Sequence, residues 1–137
     1  MSVAETQYFA LLRSALWNTP VIIDEAVEWD AVMLLAKHQA TSVLISSVAS
    51  QMAESDRPSA SMLNEMQSAM RFNLMNQLKL RQILVSALKL LRAHDIEPVL
   101  LKGFGLAMLY PNPNLRQFGD IDIYLGLDNF QDRKSVV

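Results

Sequence analysis

Cysteine is absent from the 137 residues, which removes disulfides, thiolate metal sites and cysteine nucleophiles from consideration. Glycine and proline are few, 4 and 5 residues, while 51% of the chain is hydrophobic. A disordered chain lacks the apolar content to offset its ordering entropy, so this is the composition of a globular protein. No charge excess exists either. The formal net charge of -2 gives no bulk electrostatic case for a protein that coats nucleic acid, and leaves room only for a local basic patch. No apolar run reaches the roughly 20 residues that cross a bilayer. Met1-Ser2-Val3-Ala4-Glu5 has neither the basic nor the apolar region of a signal peptide. The expected location is the cytoplasm. The length allows one compact domain, or a small helical region joined to part of a second.

What is present falls into two textures. Residues 5–17 set Tyr8, Leu11, Leu12, Ala15 and Leu16 at helical spacing, and Asn18-Thr19-Pro20 is a turn. A second helix is expected over 28–38, with Trp29, Val32, Met33, Leu35 and Ala36 as its stripe, and a third over 40–53. After the polar stretch 54–59 a single pattern runs to His94, carried by Leu63, Met66, Met70, Leu74, Leu78, Leu84, Leu88 and Leu91. At 1.5 Å per residue a helix of this length spans about 50 Å. It suits either a bent core helix or a dimer seam. Past Ile96-Glu97-Pro98 the pattern shortens. Val99-Leu100-Leu101 reads as a strand, Lys102-Gly103-Phe104-Gly105 as a turn, and 106–110 as a short helix. Residues 111–114 read as a loop and 120–125 as a second strand, with one more helix capped by Asp128.

On a strand, residues two apart share a face. Asp120 and Asp122 are therefore expected to aim two carboxylates one way, with Ile121 and Ile123 facing a buried side. A divalent cation relieves the mutual repulsion of such a pair, and hard oxygen ligands suit Mg²⁺ (or Mn²⁺) bound together with substrate phosphates. A lone D-x-D is weak evidence, and surface aspartate pairs are ordinary. Its neighbours sharpen it: Gly103 and Gly105 allow backbone N–H groups to approach a phosphate. Lys102 and Arg116 flank the unit with positive charge.

The block Leu100-Leu101-Lys102-Gly103, Leu109-Tyr110-Pro111, and Arg116 followed by Gly119-Asp120-Ile121-Asp122 resembles the signature of the uncharacterised nucleotidyltransferase family of the polymerase-β-like superfamily. The likeness is close over 99–126. It is looser from Trp29-Asp30 through Ala36-Lys37-His38, a segment similar to one in the family. Periodicity gives a helical region over 1–95 with one very long helix, and the resemblance implies over 96–137 the first part of a strand–turn–helix–strand nucleotidyltransferase core, so the expected chain is α+β. The resemblance also implies Asp120 and Asp122 as catalytic metal ligands, and transfer of a nucleoside monophosphate from an NTP to an acceptor that is a small molecule, a protein or RNA. Lys102, Gly103, Gly105 and Arg116 are the expected phosphate-side residues. Where the superfamily carries Gly-Gly or Gly-Ser, this sequence has Lys102-Gly103-Phe104, which lacks the hydroxyl for the β/γ-phosphates.

The superfamily also uses a third carboxylate on a later strand. Asp128 and Asp132 follow too closely to supply it, and Gln131 to Val137 is unlike a domain end, so the chain reads as part of a longer protein. The rival expectation is a non-catalytic helical interaction module with a degenerate nucleotidyltransferase portion. Either way a homodimer is expected, through the long helix or through unpaired strand edges. Several side chains keep bland readings. Lys102 can be a solvated lysine and Arg116 an ion-pair partner of the aspartates. His38 and His94 read as helix-end residues, and Met62, Met66, Met70 and Met75 as core packing or an adaptable groove. Tyr110 and Phe118 read as loop-fixing packing residues or base-stacking ones.

Overall fold

The computed structural model describes residues 1–126. Five α-helices and a small two-stranded antiparallel sheet follow in the order α1 (Val3–Trp17), α2 (Trp29–His38), α3 (Ser42–Ala49), α4 (Ala60–Arg92), β1 (Val99–Leu101), α5 (Gly103–Ala107) and β2 (Asp122–Tyr124). Short 3-10 turns lie at Glu54–Asp56 and Pro113–Leu115. The expected helix at Asp128, and Asp132, lie outside the described residues. Among those that are described, no helix is long and apolar enough to cross a membrane.

Helix α1 starts on a capping box. The Glu5 amide donates to the Ser2 hydroxyl at 3.2 Å and the Ser2 amide to the Glu5 carboxylate at 2.7 Å, so two orphan donors are satisfied reciprocally. Hydrogen bonds to the Glu5 carboxylate from the Ser2 amide and then the Ser2 hydroxyl hold that carboxyl below its ordinary range. The helix ends on Asn18 in the left-handed region, which asparagine tolerates well.

The core lies among the helices. Leu11, Val32, Ala36, Ile45 and Ala49 are completely enclosed, with Ala4, Tyr8, Met33, Val48 and Met66 beside them. Helix α3 is buried from Val43 to Ala49, the expected state of a helix apolar on every side. Its serines are accommodated because Ser46 donates to Ser42 O at 2.7 Å and Ser47 to Leu44 O at 2.7 Å. It stops at Ala49 rather than at 53, where Ser50 caps it and returns its hydroxyl to Ser47 O.

The 33-residue α4 opens on Ser59, whose hydroxyl accepts from Met62 N; Pro58 stands just outside. It closes two residues before His94, because a Schellman motif forms there: Ile96 N donates to Leu91 O and Asp95 N to Arg92 O. Asp95 takes the left-handed position at φ 58°, and Ile96 and Leu91 are both buried, the apolar contact this motif favours. Arg92 grips Glu97 through its Nε and Nη2, the shortest contact being 2.6 Å. His94 lies over the helix end with Nδ1 2.9 Å from Leu90 O, a helix-end residue. The methionines divide: Met66 is core, Met62 and Met70 are half-buried, and Met75 is exposed. Met62 and Met66 join the core cluster while Met75 is exposed, so the four methionines share no single groove.

The sheet pairs Val99 with Tyr124, Leu100 with Ile123 and Leu101 with Asp122. Three expectations change here. The short helix begins at Gly103, not at 106, because Leu106 N already bonds Lys102 O at 3.0 Å; Gly103 and Gly105 lie inside α5. The second strand is three residues long, so Asp120 precedes it. Ile123 shares its face with Leu100, and both are only half-buried, as is Ile121. The other face carries Val99, Leu101, Asp122 and Tyr124, three of them exposed.

Candidate functional site

The candidate residues meet where the β1–α5 junction touches the segment leading into β2. Lys102 is the pivot. Its backbone has φ 38° and ψ -138°, a combination glycine adopts freely and other residues only at a cost of about 1–3 kcal/mol. Gly103 follows at φ 27° and is buried. A Cβ on Gly103 would stand 3.2 Å from the Phe118 ring and 3.3 Å from the Asp120 carbonyl oxygen. A side chain here would press the two segments apart by a few tenths of an ångström and would sit on a strained backbone. Gly105 would place a Cβ 3.4 Å from Leu100 O, an ordinary contact, and Gly119 meets nothing within 4 Å.

Aromatic packing holds the approach. Phe104 and Phe118 meet edge to face with centroids 4.8 Å apart, and Arg116 lies over the Phe118 ring at 5.4 Å. Its Nη1 also donates to Gly103 O at 3.4 Å. Phe118 is therefore a packing residue, and Arg116 links the turn to the loop. Among the described residues the one salt bridge is Arg92–Glu97, so Arg116 is not an ion-pair partner of either aspartate.

Three polar side chains that sequence reasoning did not single out position this loop. Asn73 and Gln77, both buried on α4, donate to Asn114 O at 2.7 Å and Arg116 O at 3.1 Å. They sit four residues apart on one face of the helix. Gln117 accepts from Val43 N at 2.9 Å and from the Ser42 hydroxyl at 3.1 Å, and so caps α3 from a distant part of the chain. Two polar residues at i and i+4 within an apolar pattern were the available signal for the first pair. Gln117 gave none, since its partner is 74 residues away.

Asp122 is half-buried at the start of β2, opposite Leu101, and Asp120 is exposed two residues earlier. Lys102 is exposed and Arg116 half-buried. The turn, Asp120 and Arg116 are thus brought together, with Asp122 tied to the same strand pair. Among the described residues no group of three His, Asp or Glu side chains forms a metal-holding set. Carboxylates are the donor type that Mg²⁺ takes together with water and phosphate oxygens. The amides of Gly103, Phe104 and Gly105 open α5, where N–H groups have no partner within the helix. A separate cleft of about 830 Å³ lies between the ends of α1 and α3 and the 111–115 loop, lined by Ser14, Asn18, Ser47, Gln51 and Asn112. None of the six candidate residues lines it.

A family model described as an uncharacterised nucleotidyltransferase matches residues 25–136, from just ahead of α2 through both strands. No curated protein and no solved structure gives a significant match.

Proposed function

The chain belongs to the uncharacterised nucleotidyltransferase family, and on that premise we propose that it moves a nucleoside monophosphate from an NTP to an acceptor hydroxyl, carboxyl or phosphate. In this reading Asp120 and Asp122 hold Mg²⁺ or Mn²⁺, which would neutralise phosphate charge and polarise the attacked phosphorus. The amides at the start of α5, from Gly103 to Gly105, take phosphate oxygens. The Lys102 ammonium, unpaired among the described residues, neutralises the leaving pyrophosphate in place of the missing hydroxyl. Arg116 keeps the turn in place through Gly103 O and presents its remaining guanidinium N–H groups to the same phosphates.

The observation that carries this reading is the close seat of Gly103 against the Asp120 carbonyl, where an added Cβ would stand 3.3 Å from that oxygen and φ is 27°. A turn for phosphate and a carboxylate pair for metal have chemistry in common only if they are adjacent. The rival reading is a non-catalytic helical interaction module with a degenerate nucleotidyltransferase portion.

Thermal unfolding with Mg²⁺ or Mn²⁺ and each NTP separates the two. The catalytic-site reading expects a rise of about 5–10 °C at saturating nucleotide. The rise should be lost in Asp120→Asn/Asp122→Asn, whose own melting temperature without ligand stays within about 2 °C of the parent, because neither carboxylate is deeply buried. No shift for any nucleotide would leave the interaction module as the function.

A further inference from the structure

The surface that the nucleotide site leaves unused is the outward side of α4. From Met66 to its end this helix carries Arg71, Lys79, Arg81, Lys89 and Arg92 and no acidic residue. All five are exposed. Beside its buried line of Asn73, Gln77, Leu84 and Leu91 runs a second line: Leu74, Leu78, Arg81, Val85, Leu88 and Arg92. The steps are four, three, four, three and four residues, the spacing of a helix-to-helix seam. Single exposed aliphatics are ordinary on any surface. Here Leu74, Leu78 and Val85 are 42%, 44% and 45% exposed and lie on one line. Arg92 is neutralised by Glu97, whereas Arg71, Arg81 and Lys89 have no acidic partner among the described residues.

We propose that this seam docks a single acidic amphipathic helix of another protein. Its leucines would cover Leu74, Leu78 and Val85, and its glutamates or aspartates would meet Arg81 within the seam and Arg71 and Lys89 at its edge. Charge selects this occupant. A second copy paired along the same seam in parallel register sets Arg81 against Arg81. In antiparallel register about the seam's centre Arg81 meets Val85. In both registers the facing helices carry only cations and no acidic residue from Met66 onward, which specifies against self-pairing. Nucleic acid matches the cations but leaves three aliphatic side chains without a complement. A bilayer needs a broad apolar face with its cations on the opposite side, whereas here Arg81 and Arg92 interrupt the aliphatic line itself. A further apolar flank, Phe72, Ile83 and Leu90, carries only Lys79 and has no charge pattern that names its partner. The inference is independent of the nucleotide site.

The test is fluorescence anisotropy of the full chain with a labelled acidic peptide helix bearing leucines at seam spacing and glutamates opposite Arg71, Arg81 and Lys89. The peptide is expected to bind, and Arg81→Glu or Leu78→Ser to weaken it at least about tenfold without lowering the melting temperature. Lysine in place of the glutamate opposite Arg81 should restore binding to Arg81→Glu alone. Failure of the acidic peptide to bind, or equal binding to parent and Arg81→Glu, overturns the proposal. So does tighter binding of an RNA oligonucleotide or an anionic vesicle that ignores Leu78→Ser, or a dimer in light scattering that Leu78→Ser dissolves.

Discussion

The two halves of this molecule are held together by different physics. The first half, α1 to the opening turns of α4, closes around side chains such as Leu11, Val32 and Ile45 that no solvent reaches. The second half, from Val99 to Gly126, has a three-residue sheet with Val99, Leu101 and Tyr124 exposed on one face and Leu100 and Ile123 half-buried on the other. It stays in place through Asn73, Gln77 and Gln117, one aromatic pair and the close seat of Gly103. Apolar burial makes the first half stable; directed hydrogen bonds make the second half specific. The candidate chemistry lies in the half with less to stabilise it.

The widest difference is expected from deletions in the two halves. Ile45→Ala should cost about 2–5 kcal/mol in denaturant unfolding, and it should bring the whole chain down in one transition. Gln77→Leu removes a buried donor and leaves the Arg116 carbonyl without it, at about 1–3 kcal/mol. In hydrogen exchange its effect should concentrate in 110–124 while the α1–α3 amides keep their protection. Uniform loss of protection in Gln77→Leu would erase the distinction between the halves.

A smaller effect with opposite signs sharpens it further. Lys102→Gly relieves a backbone that lysine holds at φ 38° and should stabilise the chain by about 1 kcal/mol. The same variant should weaken Mg²⁺·NTP binding, read as a reduced nucleotide-dependent rise in melting temperature. Strain that raises stability on release without any loss of binding would mark Lys102 as a bystander.

Periodicity made the first half legible. The stripes through Leu11, Val32, Ala36 and Met66 needed only a 3.6-residue repeat to be assigned to the core, and the length of α4 followed from the absence of any breaker. Its stop was read two residues late, at His94, because Asp95 fills a left-handed position for which glycine is the usual mark. Around the site, local patterns gave the sequence of elements but not their limits. Alternation over 120–125 suggested a six-residue strand, yet only Asp122–Tyr124 find a partner, since a strand extends no further than its neighbour β1. The glycines signalled a turn, but the hydrogen bond from Leu106 to Lys102 draws them into α5. Gln117 was beyond reach: a contact across 74 residues leaves no trace in local spacing.

That same glutamine lies between Arg116 and Phe118, the two residues that brace Gly103, while its amide oxygen holds one of the free amides in the first turn of the most deeply enclosed helix. The Val43 N–H is consequently a gauge built into the interior. Its chemical shift in an NMR spectrum would register any displacement of the 116–118 segment when nucleotide arrives, although Val43 itself never meets the ligand.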